Sequence, residues 1–199
     1  MQGHRADSTR RSSAPLPPVT AGGKPAGLHA TTGSPMTPDP APRIARGPAD
    51  LAGQDALLAM SGLEFMRAML AGHIPLPAMC GTLGYRLHAV DEGEATFRGT
   101  PEFAYTNPMG TVHGGWYGTL LDSALGCAVM TRVPQGAFYT TLEFKVNLLR
   151  ALPLGAEVEV RATCRHAGRS TAVAEGAITG VADGRLYATG STTCIILRP

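Results

Sequence analysis

The residues Asn107-Pro-Met-Gly-Thr-Val-His113-Gly114-Gly115 run into a long apolar stretch that holds one acid, Asp122. Two adjacent glycines open what otherwise reads as a helix, although glycine costs a helix about 1 kcal/mol against alanine. Such a pair suggests that something approaches the backbone closely. The N-terminus of a helix offers unpaired N–H groups and a partial positive charge. Those donors can hold an oxyanion as it forms. A carboxylate two turns in can attack a carbonyl or activate water.

Geometry limits how these groups cooperate. Seven residues separate Gly115 from Asp122, about 10 Å along a helix axis. One reacting carbon cannot easily touch both within one chain. If both serve one reaction, a second copy of the helix must run antiparallel beside the first, which predicts a dimer with composite sites. The alternative for Asp122 is a solvent-facing acid or a cap on a neighbouring strand. Its neighbours one turn away are Gly118, Thr119, Leu125 and Gly126, and the two glycines are expected to leave a groove around it.

The elements that must hold these groups follow from the hydrophobic pattern. The run from Gly114 to Arg132 is apolar on most sides and reads as a buried helix, stopped by Pro134 and Gly136. A shorter helix is expected from Gly62 to Ala71, ended by Pro75 and Pro77. Leu83 to Val90 and Glu94 to Gly99 read as strands around the turn Asp91-Glu92-Gly93. Four more strands are expected after the long helix. They span Thr141 to Leu148, with Leu142, Phe144, Val146 and Leu148 on one face, then Val158 to Cys164, Ser170 to Val181, and Leu186 to Leu197. Short turns between strands predict an antiparallel sheet with one helix laid across it, an α+β layout.

The first part of the chain reads differently. Residues 1–49 are rich in Pro, Gly, Ser, Thr and Ala, with Arg5, Arg10, Arg11, Arg43 and Arg46 against Asp7 and Asp39. Such a segment cannot bury enough apolar area to offset its ordering entropy, so a disordered extension is expected there. A start assigned too far upstream is the other reading, with Met36 as a possible start. One ordered domain is expected over residues 50–199. A net charge of +2 demands no nucleic-acid partner. Cys80, Cys127, Cys164 and Cys194 form no C-x-x-C pair, so no metal site is expected, and free thiols point to a reducing cytoplasm. No run reaches membrane-spanning length, and no secretory leader is read.

The stretch from Asn107 to Asp122, with His113-Gly114-Gly115 between them, resembles the signature of the PaaI-type acyl-CoA thioesterases of the hotdog fold. The later run from Tyr139 to Arg150 belongs to the same resemblance, which covers about Gly62 to Leu197. It implies a long central helix wrapped by a curved antiparallel sheet, paired as a homodimer or homotetramer. It implies hydrolysis of a coenzyme A thioester, the substrate, with no cofactor. The acid, here Asp122, is nucleophile or general base. The Gly114 N–H, with Gly115 beside it, polarises the carbonyl. Asn107 orients the carbonyl or the water, and Thr141 helps hold the water.

His113 invites a catalytic role, but a histidine at such a turn more often bonds the backbone. Arg169, in the turn from Arg165 to Ser170, is a possible contact for coenzyme A phosphates or part of a solvated hairpin end. Trp116, Tyr117 and Phe138 line an acyl pocket or belong to the core. Two other functions are weighed. An acyl-thioester dehydratase or hydratase would need a differently placed histidine. A non-catalytic acyl-CoA-binding protein would lack the acid.

Overall fold

The computed structural model describes residues 42–199; the larger part of the expected extension lies outside the described residues. The packed chain reaches further back than residue 50. Ile44 bridges Leu76 in parallel, the Ala45 N–H donates to the Leu76 carbonyl at 2.8 Å, and Ala45 is buried. One bridging residue is too short a signal for composition to register.

Two short helices then follow, α1 (Gln54–Leu58) and α2 (Gly62–Leu70). Ser61 starts α2 with a capping box. Its hydroxyl accepts the Glu64 N–H at 3.3 Å, and the Glu64 carboxylate accepts the Ser61 N–H at 2.8 Å. The expected stop at Pro75 and Pro77 comes earlier. Gly72, at φ 75°, turns the chain out of the helix, as a left-handed glycine commonly does. Next come α3 (Ala78–Thr82), β1 (Tyr85–Asp91), β2 (Glu94–Gly99) and α4 (Gly114–Met130). The chain ends in β3 (Phe138–Leu148), β4 (Val158–Ala167), β5 (Thr171–Gly180) and β6 (Leu186–Leu197). The main helix and the six strands match the expected order. Helices α1 and α3, at five residues each, are too short for periodicity to detect.

All six strands form one antiparallel sheet in the order β1-β2-β4-β5-β6-β3. Helix α4 lies across it and packs on β2 through β6. Its Leu120, Leu121, Leu125 and Val129 are fully buried, as are Val158 and Val160 of β4 and Ile178 of β5. Each such side chain contributes roughly 1.5–3 kcal/mol of burial. Alanines 162, 172, 174 and 188 keep the sheet face shallow where the helix sits. Under the sheet, Glu159 is buried with Arg98 at 2.8 Å and Arg161 at 2.6 Å. Burial works against its charge, but the hydrogen bonds from Arg161 and Arg98 outweigh it and hold the carboxyl below its ordinary range.

Strand β3 carries an irregularity that alternation does not disclose. Thr141 pairs with Cys194 and Glu143 with Thr193, so Leu142 is an extra residue in a bulge. The expected face Leu142, Phe144, Val146, Leu148 is therefore corrected. Thr141 pairs with buried Cys194 and Phe144 with buried Thr192, so both lie on the helix side while Leu142 is exposed.

Helix α2 docks against the end of α4 through Gly62, whose N–H donates to the Val133 carbonyl at 2.9 Å. A methyl group on Gly62 would run into the Met130 carbonyl. Backbone cannot yield as a flexible side chain can. Gly62→Ala is expected to cost about 1–3 kcal/mol or more, read as a lowered midpoint in urea unfolding.

Candidate active site

Helix α4 meets β3 along a stripe with a period of four: Gly114, Gly118, Asp122 and Gly126. Added side chains at the three glycines would meet Leu148, Phe144 and Tyr139 respectively. The strand therefore runs antiparallel to the helix, one inward side chain per turn. The expected groove around Asp122 is not open on this side, because the Phe144 ring sits against Gly118 and Tyr139 against Gly126. Between those two aromatic rings, the Thr141 hydroxyl donates to Asp122 Oδ1 at 3.3 Å.

Asp122 is half-buried. Burial raises its pKa, and the hydrogen bond from Thr141 pulls part of the way back. The rest of the helix's open face is small: Gly115, Thr119, Ser123 and Cys127 accompany Asp122 outside the core. Ser123 bonds the Tyr85 hydroxyl at 3.0 Å. Burial pushes the Cys127 thiol up to about 12, so it is no nucleophile at neutral pH.

His113 is the N-cap of α4, and its Nδ1 accepts the Gly115 N–H at 2.9 Å. That bond leaves Nε2 to carry the proton of the neutral ring. It also occupies the Gly115 amide. The Gly114 N–H has no partner among the hydrogen bonds of the described residues. Asn107 lies at the start of the loop before the helix. Its Oδ1 accepts from the N–H groups of Met109 at 2.9 Å and Thr111 at 3.3 Å, and its Nδ2 donates to the Thr111 hydroxyl at 2.8 Å. Asn107, Gly114 and Leu148 line one cavity of about 320 Å³.

Asp122 and Thr141 are thus brought together, and so are Asn107, Gly114, Gly115 and His113 at the helix N-terminus. Within one chain the two groups stay apart by the length of two helical turns. Arg169 is exposed in the β4–β5 turn, and its carbonyl accepts from Arg198. Trp116 and Tyr117 are core: the indole N–H donates to the Leu83 carbonyl at 2.9 Å, and the Tyr117 hydroxyl accepts the Leu152 N–H at 2.8 Å. Phe138 is half-buried beside an apolar cavity. The sequence reading missed the Tyr139–Gly126 contact and the Ser123–Tyr85 bond. The spacing of four among the glycines and Asp122 was the available signal for the first.

A thioesterase superfamily family model matches residues 109–187, which takes in α4, β3, β4 and β5. The crystal structure of a phenylacetic acid degradation-related protein from Ralstonia eutropha JMP134 superposes with a TM-score of 0.60 at 33% identity. That alignment covers 66% of this chain and 98% of the other. The chain belongs to the thioesterase superfamily. Its central helix under a curved antiparallel sheet is the hotdog fold. Mouse acyl-coenzyme A thioesterase 13 is 30% identical over 92 residues, 46% of this chain and 65% of the mouse protein's length. A thioesterase protein from Streptococcus pneumoniae TIGR4, whose structure holds coenzyme A, matches at 26% identity with a TM-score of 0.53. That match covers 58% of this chain and 89% of the other. Among the described residues no helix is long and apolar enough to cross a membrane, and no cluster of three metal-ligating side chains occurs.

An acid whose pKa rises on folding binds protons more readily folded than unfolded. Stability then falls as pH rises from the ordinary value of 3.8 through the raised one. Asp122→Asn removes that penalty. The variant should melt at or above the wild type near neutral pH, with the difference shrinking towards zero in acid. Thermal melts across that range check it.

Proposed function

We propose that this superfamily member hydrolyses acyl-CoA thioesters at sites shared by two copies of the chain. The observation that carries the reading is the half-buried Asp122, held by Thr141 on the small, open face of α4. With Oδ1 occupied by Thr141, Oδ2 is the oxygen left to work. It either takes a proton from water, whose oxygen attacks the thioester carbon, or attacks that carbon itself. The carbonyl π electrons move to oxygen and return as the C–S bond breaks. The coenzyme A thiolate leaves and takes up a proton; in the second route water then hydrolyses the anhydride.

The oxyanion needs a donor, and the Gly114 N–H is the free one, since His113 uses Gly115. In this reading His113 and Asn107 shape the turn that aims Gly114, and Asn107 also faces the carbonyl or the water. The arrangement becomes complete when α4 of a second copy runs antiparallel alongside. Two features support that pairing. The small face of α4 permits close approach of another helix. Strand β3 is an edge with one neighbour, and Leu142, Phe144, Leu148 and Leu149 are exposed on or just after it. An exposed apolar edge invites another strand. Arg169 is the candidate contact for a coenzyme A phosphate.

Gly114→Pro, in protein that still melts cooperatively with the Leu148 side chain shifted to admit the ring, tests the donor. Proline lacks the N–H and suits the first helical position, and His113 at ψ 138° already has the backbone proline demands of its predecessor. Gly114→Pro and Asp122→Asn should each lower kcat by about a hundredfold or more, read as free thiol released from acyl-CoA. Co-expressed, the two variants should recover roughly a quarter of wild-type activity, since half the dimers are mixed and each has one intact site. No recovery in a sample proven to contain mixed dimers would refute the shared site. Thr141→Val should move the acid limb of kcat/KM to higher pH, because the bond that favours the charged carboxylate is lost.

A further inference from the structure

A separate apolar cavity of about 200 Å³ lies where α1 and α2 cover the C-terminal half of α4 and the start of β3. Leu57, Phe65 and Met69 form its outer wall, and Cys127, Phe138 and Tyr139 its inner wall. The Tyr139 ring and the apolar side chains leave almost nothing in it to bond water. An apolar pocket of this size takes apolar groups; an enclosed cavity of about 150 Å³ holds a benzene-sized ring.

Its position ties it to the reacting carboxylate. Gly126, on which Tyr139 rests, is one turn beyond Asp122, about 6 Å along the axis. Tyr139 is also two residues before Thr141 on the same face of β3, about 7 Å away. The inner wall therefore begins one turn from Asp122 and continues along α4 away from its N-terminus. An acyl group with its carbonyl at Asp122 can extend past Ser123 to Cys127 and this apolar volume, little more than one turn further along α4. The closing wall comes from the segment before the matched family region, and the bond from Gly62 to Val133 fixes that wall against α4.

We propose, resting on the thioesterase reading above, that this cavity receives the acyl tail and restricts the substrate to compact apolar acyl groups. The limit is an aromatic ring or a chain of roughly six to eight carbons. Leu57 and Phe65 set it. Each methylene buried there adds about fourfold to kcat/KM until the wall is reached.

Acetyl-, hexanoyl-, phenylacetyl-, decanoyl- and palmitoyl-CoA, assayed for thiol release, test this. The wild type should favour hexanoyl- and phenylacetyl-CoA over acetyl- and palmitoyl-CoA by about tenfold or more. Leu57→Trp, which fills the cavity from its half-buried rim, should lose about tenfold on hexanoyl- and phenylacetyl-CoA and stay within about twofold on acetyl-CoA. Phe65→Ala should move the preference towards decanoyl-CoA. A uniform change across all five substrates, or none, in variants that still melt cooperatively would overturn the assignment. If the wild type releases thiol from no acyl-CoA, the hydrolase reading fails and the cavity is judged by binding. In calorimetry, Asp122→Asn protein should bind hexanoyl-CoA at least about tenfold more tightly than free coenzyme A, and adding Leu57→Trp should abolish the difference. Equal affinity for the two would overturn the cavity's role.

Discussion

The site depends on how closely α4 lies against β3. Three of the four stripe positions, Gly114, Gly118 and Gly126, are glycine, each costing the helix about 1 kcal/mol relative to alanine. The strand side chains Leu148, Phe144 and Tyr139 fill the space so made. Packing of this density recovers dispersion contacts that a looser fit would forfeit. The fourth position is Asp122. A short side chain in a line otherwise kept clear finds itself between two aromatic rings, within reach of the Thr141 hydroxyl and partly sheltered from water. The raised proton affinity of the carboxyl follows from that shelter.

Much of this was legible in the residues. The long apolar run with its single acid and the alternating strands after the helix are strong periodic signals. They place Asp122 on a buried helix and Gly114 at its start. Other parts depend on contacts distant in sequence. Leu142 is in phase with Phe144, so alternation alone assigns both to one face; only pairing with Thr193 and Cys194 exposes the bulge. The glycines around Asp122 read as empty space because the residues that occupy it, Phe144 and Tyr139, lie about twenty residues later. Gly114 and Gly115 look equivalent as donors until the His113 ring is seen to use one of them. The packing of Ile44 is invisible locally because its bridge partner, Leu76, lies thirty-two positions away.

Stability and reactivity pull against each other along α4. Its sheet-facing side is filled by leucine, valine and alanine and carries the core. The opposite side is left with Gly115, Thr119 and Ser123, which bury little, beside a partly desolvated acid. The protein tolerates this because the sheet-facing side alone anchors the helix on five strands. The neighbouring edge, with its exposed Leu142, Phe144 and Leu148, carries a similar debt of uncovered apolar surface.

The bulge at Leu142 gives β3 a parity. Before it, odd-numbered residues such as Tyr139 and Thr141 face α4; after it, even-numbered ones such as Phe144 and Val146 do. A regular strand of the same length would turn one half of β3 inside out, parting the hydroxyl from the ring beside it, whereas deleting Leu142 would restore an unbroken ladder with both halves facing as they do now. A homologous segment of equal length can therefore be spliced into this strand only if it carries the same odd residue, and an ungapped alignment to an unbulged strand would miscount every side chain on one side of it.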